Sequence, residues 1–350
     1  MFKLTKQPVA TIALSSATGL VGARTTTKLV NATQSHRVML TFAASITVAA
    51  APITAWRNRA SCLAMISQVG IMENGRDRVV LEGRDLRALS EVFSPSALSA
   101  TRPTAVIAGT YLFRETCAIN FAHPFSVSPR ETAFLERDPQ QPLELFATLA
   151  SDWIARICDA GGATVTLNSF TVTARQIHDP FEQALPYFLP SVRQFSETIA
   201  AANTQYLSYI RSPNYIRGML IAQDTNVGET NDIIVGLALR DDFRAIIGPA
   251  QVPWDDLARD AETEFGGLVY PATAAAQAYC YLDFQKYGRL PGVINPAQTN
   301  NLRLEMNVTP SVLAGATSSR VRITLLELEK DTTVMPSGRR LVDPNPPFDI

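Results

Sequence analysis

The sequence predicts an all-β protein built twice, as two similar β domains in tandem. Three observations carry this. Apolar residues alternate with a period of two over most of the chain, helical periodicity is confined to two short stretches, and one awkward strand is written twice. The two copies are GGATVTLNSFTV, Gly161–Val172, and AGATSSRVRITLLEL, Ala314–Leu328. Period two places successive side chains on opposite faces of a sheet, so the pattern reads as strands with one face on a core.

Composition fits this. The chain has 350 residues, enough for two domains that each bury a core, with 46% hydrophobic and 18% charged residues. The formal charge of -1 and the lack of a Lys/Arg block argue against a nucleic-acid surface. Cys62, Cys117, Cys158 and Cys280 match no metal or redox spacing and are expected to be buried free thiols.

Taken in order, Lys3 and Lys6 precede an apolar-leaning run from Gln7 to Ala23. Pro8, Thr11, Ser15, Ser16 and Thr18 dilute it, and a cleaved signal is not predicted. The uncharged run Val38–Trp56 alternates and contains Pro52, so it reads as strand rather than a spanning helix. Asn74-Gly75 sits between apolar runs, and both residues tolerate positive φ, which predicts a hairpin. Leu86, Leu89, Val92 and Phe93 share one face of a helix over Arg84–Phe93. Leu143, Leu145, Ala147 and Leu149 form an alternating strand, as do Leu302, Leu304, Met306 and Val308. The second helix, Pro253–Phe265, carries Trp254, Leu257, Ala258, Ala261 and Phe265 on one face. Proline suits its first position, and Asp255 and Asp256 complement its positive end.

The two halves align. Gly162-Ala163-Thr164 matches Gly315-Ala316-Thr317, and after the insertion Ser318-Ser319-Arg320, Val165 matches Val321 and Leu167 matches Ile323. The alternation then slips phase in both copies, to Phe170 and Val172 in one and to Leu326 and Leu328 in the other, as a β-bulge or bend would cause. Each half reads hairpin, helix, aromatic strand, alternating strand, GAT strand. The expected organisation is an arm over 1–32, domains over 33–186 and 187–334, and an extended proline-rich arm over 335–350. Pro344, Pro346 and Pro347 exclude regular helix from that tail.

Catalytic chemistry is hard to find. His36, His123 and His178 are scattered, which excludes a clustered-histidine metal enzyme. No phosphate-loop, nucleophile-elbow, dinucleotide or H-E-x-x-H motif occurs. His178-Asp179 is explained by an exposed turn before Pro180. Asp241, Asp242, Asp255 and Asp256 are the metal candidates, yet the first pair suits a hairpin turn and the second a helix N-terminus. Trp153, in an expected apolar strand, and Trp254 read as core residues. No cofactor is implied.

Paired GAT strands, paired hairpin-to-helix units (Glu73–Phe93 and Arg240–Phe265) and the proline-rich tail together resemble the double jelly-roll major capsid proteins of tailless icosahedral phages with an internal membrane, the tectivirus, corticovirus and adenovirus lineage. The resemblance covers about residues 33–334 and rests on architecture. It implies two tandem eight-stranded jelly-roll sandwiches, each with a flanking helix, and a non-enzymatic chain synthesised and assembled in the host cytoplasm. It further implies homotrimers forming pseudo-hexameric blocks, with neighbouring trimers and minor or vertex capsid proteins as partners. The arm bearing Lys3 and Lys6 would lie at the shell's inner face, against anionic lipid or a neighbouring subunit. Three other readings stay open: a secreted carbohydrate-binding or adhesin sandwich, a two-sandwich hydrolase or oxygenase, and a minor capsid or spike protein.

Overall fold

The computed structural model describes residues 5–6, 10–13, 21–29, 34–57, 60–94, 99–101, 103–122, 135–136, 143–179, 188–265, 278–285, 293–295 and 298–330. Besides a few strands of two or three residues, the first half has eight principal strands: β1 (Ala10–Ala13), β2 (Arg24–Lys28), β3 (Gln34–Ala49), β4 (Ile66–Glu73), β5 (Arg76–Leu81), β6 (Gly109–Asn120), β7 (Leu143–Leu149) and β8 (Thr164–Asp179). Helix α1 (Gly83–Phe93) lies between β5 and β6. The second half repeats this with β9 (Phe188–Thr198), β10 (Asn203–Tyr209), β11 (Tyr215–Thr225), β12 (Ile234–Arg240), β13 (Ala245–Pro253), β14 (Tyr279–Asp283), β15 (Arg303–Val308) and β16 (Ser319–Lys330). Helix α2 (Trp254–Phe265) lies between β13 and β14.

Pairing is the same in both halves. One sheet of the first half runs β1-β8-β3-β6 and its partner β2-β7-β4-β5. The second half gives β9-β16-β11-β14 and β10-β15-β12-β13. Adding eight to any strand number finds its counterpart. The two GAT strands are therefore equivalent: β8 is held between β1 and β3, and β16 between β9 and β11.

Local chemistry explains the elements. Asn74 and Gly75 have φ of 55° and 73° and close the β4–β5 hairpin, as their tolerance of positive φ requires. On β3, Val38, Leu40, Phe42, Ala44, Ile46 and Val48 all reach the first core, and the alternate residues face out. Trp254, Leu257 and Ala261 seal α2 onto a second core built on Ile221, Leu237, Leu304, Met306 and Ile323.

Four expectations change. The stretch expected to be an arm over 1–32 supplies β1 and β2, which pair with β8 and β7 as outermost strands of the two sheets. Trp153 opens a short helix, Trp153–Ile157, rather than lying in a strand. His178 and Asp179 end strand β8, opposite Ser35 and Gln34, rather than forming a turn. The phase slip has two causes. In β8 it is a bulge: Leu167 pairs with Ile46 and Ser169 with Ser45, leaving Asn168 as the extra residue, so Leu167, Phe170 and Val172 all reach one core. In β16 no residue is inserted opposite β9; the strand is buried on both faces, with Val321, Ile323 and Leu325 in the second core and Leu326 in the first.

Candidate functional site

Both faces of β16 are buried because the two sandwiches share a seam. Strand β5 of the first pairs in parallel with β9 of the second at Val79 and Val192, so one sheet crosses from half to half. Helix α1 is wedged beside this junction, with ten of its eleven residues buried. Its apolar side, Leu86, Leu89, Val92 and Phe93, belongs to a core that also takes in Leu220, Ala222, Tyr279, Tyr281 and Leu326 from the second half. Phe93 meets Tyr281 edge to face at 5.1 Å.

The other side of α1 is charged and still buried. Arg322 forks onto Asp85, with Nη2 to Oδ1 at 2.8 Å and Nε to Oδ2 at 3.0 Å, and also donates to Asp224 and, at 3.3 Å, to the Tyr279 hydroxyl. Arg320 forks onto Asp224 at 2.9 and 2.7 Å and reaches Glu82 at 2.7 Å. Arg84 lies 3.7 Å from Asp224, and Arg156 lies 3.6 Å from Glu82. Gln194 closes the array, accepting from the Glu82 N–H at 3.0 Å while its amide donates to Asp85 and Thr324. Arg322, Asp85 and Asp224 have side-chain exposures of 1%, 0% and 2%, so this is an interior network and not surface decoration.

Burial opposes the charge on Arg322, but Asp224 and Asp85 outweigh it and hold its pKa well above the usual arginine value. Burial would also raise Asp224, yet Arg322 and Arg320 together keep its carboxyl below the ordinary range. Asp85 goes the other way: complete burial lifts its pKa, and Arg322, shared with Asp224, offsets this only in part.

Two further contacts pin the seam. The bulge in β11, between Ile216 and Gly218, turns Arg217 toward the first half, where Nη1 donates to the Phe121 carbonyl at 2.9 Å. At the far end of β16, Glu329 accepts from Arg76 at 2.8 Å and also from Arg78.

A tandem pair of identically ordered sandwiches welded through the helix of the first is a distinctive architecture. No protein-family model matches the chain, and no curated protein sequence matches it. Solved structures do. The STIV (Sulfolobus turreted icosahedral virus) major capsid protein aligns over 93% of this chain and 97% of its own, with a TM-score of 0.64 and 13% identity. The PBCV-1 virus capsid gives 0.59 at 12% identity, covering 93% of this chain and 94% of that one. The major capsid protein P2 of bacteriophage PM2 gives 0.53 at 11%, covering 93% and 99%. The fold is a double jelly roll.

In the double jelly roll, the sequence-predicted site residues fall in separate places. Asp241 is the hairpin acceptor between β12 and β13, taking the N–H groups of Phe243 and Arg244 at 2.8 Å each. Asp242 accepts from Asn300 at 2.9 Å, from Arg303 at 2.9 Å and from Asn301 at 2.6 Å, tying that hairpin to the start of β15. Asp255 and Asp256 are exposed in the first turn of α2. Among the described residues, no group of three or more His, Cys, Asp or Glu could hold a metal ion. Lys6 lies in a short strand, Thr5–Lys6, opposite His178 and Ile177 of β8, and Lys3 falls outside the described residues, as do His123 and the tail 335–350. All four cysteines are free and buried, and burial pushes Cys280 up to about 12 and Cys158 up to about 11.

Asp85, Asp224, Arg320 and Arg322 were not among the residues the sequence singled out. Arg320 and Arg322 alternate with Val321 and Ile323 and so read as a solvent face. The signal that marks them is Leu326 and Leu328 on that same face, because apolar residues there mean the face is covered.

Proposed function

We propose that this chain is a major capsid protein whose work is assembly, with three copies forming a pseudo-hexameric block of an icosahedral shell. The observation that carries the reading is the whole-chain correspondence to the STIV major capsid protein, in which both sandwiches superpose together and little of either chain is left over. A welded seam suits such a role. It holds the two sandwiches together in one orientation, and repeated contacts around a closed shell multiply modest affinities. Neighbouring trimers and vertex proteins are then the partners, and the virion is the location. Within this reading the first jelly roll runs from Ala10 to about residue 186 and the second from about 187 to 334, with 335–350 as an extended arm.

The deciding measurement is the mass of the purified protein by light scattering. Three chains of 38.1 kDa give about 114 kDa, and a stable monomer at micromolar concentration, without larger assemblies, defeats the proposal. Contact of Lys3 and Lys6 with an anionic membrane is tested separately. Because truncation of the N-terminus removes β1 and β2, the informative variant is Lys3→Glu with Lys6→Glu, in co-flotation with phosphatidylglycerol vesicles. Unchanged flotation removes the membrane contact and leaves the capsid reading intact.

A further inference from the structure

Beside the charged side of α1 the seam encloses a cleft of about 270 Å³, lined by Arg84, Asp152 and Arg156 of the first half and by Asp224, Ser318 and Arg320 of the second. Three guanidinium groups converge on it. Arg320 is well answered, by Asp224 and by Glu82 at 2.7 Å each. The other two are not. Arg84, 9% exposed, makes one side-chain hydrogen bond among the described residues, from Nη2 to the Arg156 carbonyl at 3.4 Å, and its Nη1 stands 3.7 Å from Asp224. Arg156 gives Nε to Asp152 at 2.7 Å, but its Nη1 stands 3.6 Å from Glu82, buried and without a hydrogen-bond acceptor among the described residues. A guanidinium has five N–H donors, and burying them unanswered costs free energy until something accepts from them. The nearby carboxylates have little left to give. Asp224 already serves Arg320 and Arg322, and Glu82 serves Arg320. Among the groups mostly withdrawn from water, Arg84, Arg156, Arg320 and Arg322 outnumber Glu82, Asp85 and Asp224 by one charge; the fourth carboxylate, Asp152, has a side chain 54% exposed.

We propose that this cleft binds a free, phosphate-sized oxyanion, held by Arg84 and Arg156 from the first sandwich and by Arg320 and the Ser318 hydroxyl from the second. The ligand class follows from the lining. Guanidinium forks match the oxygens of phosphate and sulfate. All ten residues around the cleft are polar, whereas sites for organic ligands are mostly apolar and run to ~300–1,000 Å³, so a small ion fits and an organic body does not. A metal cation is the poorer occupant, because the carboxylates that line the cleft are already engaged by arginine. Donors come from both halves, so an anion here ties one sandwich to the other and stabilises the seam, whatever the chain assembles into.

The test is titration of the full chain with sodium phosphate at pH 7.5, against sodium chloride of equal ionic strength, followed by calorimetry and thermal unfolding. Binding should saturate, and at a hundredfold excess over the dissociation constant the unfolding midpoint should rise by about 4 °C. Arg156→Gln removes one of the poorly answered cations, and Ser318→Glu sets a carboxylate at the exposed mouth of the cleft; each should weaken phosphate binding about tenfold or more. Ser318 is exposed, so its variant carries the test if Arg156→Gln does not fold. Dimethyl phosphate, a singly charged diester like those of lipids and nucleic-acid backbones, should not compete; binding as tight as that of phosphate overturns the free-anion assignment. Absence of saturable binding means that water alone fills the cleft, and overturns the site. Saturable binding that is unchanged in both variants overturns its location. A stabilisation that grows without saturating, equally in wild type and variants, is the general exclusion of phosphate from protein surface and overturns the proposal too.

Discussion

Replacing Arg322 by Met keeps much of its volume and removes the cation that forks onto Asp85, the one that contacts it among the described residues. Asp85 has no exposed surface, so after the change it retains the Gln194 amide and no ion pair, while Asp224 keeps Arg320 at 2.7 Å and Arg84 at 3.7 Å. Asp85 must then be buried either charged or protonated. Protonation is the cheaper route, and it costs about 1.4 kcal/mol for each pH unit above an ordinary carboxyl value near 3.9, or about 4 kcal/mol at pH 7. This agrees with the ~3–5 kcal/mol typical of breaking a buried pair from one side. The sign of the pH dependence follows. The native variant binds a proton that the unfolded chain releases, so its stability rises as pH falls from 7 toward 4, and the penalty relative to wild type shrinks by at most about 1.4 kcal/mol per unit, since the raised pKa of Asp85 already gives the wild type part of the same dependence. Adding Asp85→Leu removes the orphaned carboxyl and should return the double variant to within about 2 kcal/mol of wild type. Urea unfolding at pH 7, 6 and 5, read by tryptophan fluorescence (Trp153 in the first sandwich, Trp254 in the second), checks all three statements. A loss below about 1 kcal/mol for Arg322→Met, or one that does not change with pH, refutes the account of the seam.

Asp224→Asn probes the opposite shift. The lowered carboxyl of Asp224 adds stability that is full above its unfolded value near 3.9 and is lost as pH falls through its folded value, so the variant should be less stable at pH 7 and lose less on acidification, measured by circular dichroism from pH 7 to 2. Gly70→Ala should cost about 1–3 kcal/mol, because a Cβ there would sit 1.7 Å from the Val79 carbonyl and 2.7 Å from the Phe146 ring, forcing β4 and β5 apart; an unchanged melting temperature contradicts this. Native protein at pH 8 should leave all four thiols unreacted with a disulfide reagent over minutes and expose four on unfolding, with Cys158 the first to react on long incubation, since it has the mildest burial.

What could be seen in the sequence was whatever is local or repeated. Asn74-Gly75 declares its hairpin through positive φ, and the α2 stripe Trp254, Leu257, Ala258, Ala261 declares which side meets a core. Repetition did more, because two copies of hairpin, helix and GAT strand fix one another's reading where either alone is ambiguous. The first two strands were lost for the matching reason. β1 reads ATIA and β2 reads RTTTK, and neither announces a face. They are recognised as strands by what they pair with, and pairing partners more than a hundred residues away leave no mark on so short a segment.

The seam was hidden by a different physics, and that difference bears on how such a chain specifies its shape. A half-buried strand advertises its inward face by alternation, but a strand buried twice, like β16, loses the contrast, and its slip at Leu325-Leu326 mimics the bulge that β8 possesses at Asn168. Charges placed on the second buried face, Arg320 and Arg322, deepen the disguise. They also constrain the packing more sharply than further leucines would. A leucine accepts many neighbours at small cost, whereas Arg322 with Asp85 and Asp224 has one arrangement in which every charge is answered, and a displacement of α1 by one turn would leave a carboxylate alone in the interior. The apolar contacts of Phe93, Tyr281 and Leu326 supply the free energy that joins the sandwiches, and the charges select the single orientation in which they join. For a chain proposed to tile a closed shell, that division is useful: an error of a few degrees between the two sandwiches would be repeated at each of the three seams of a trimer, and a seam able to slide could not close a ring.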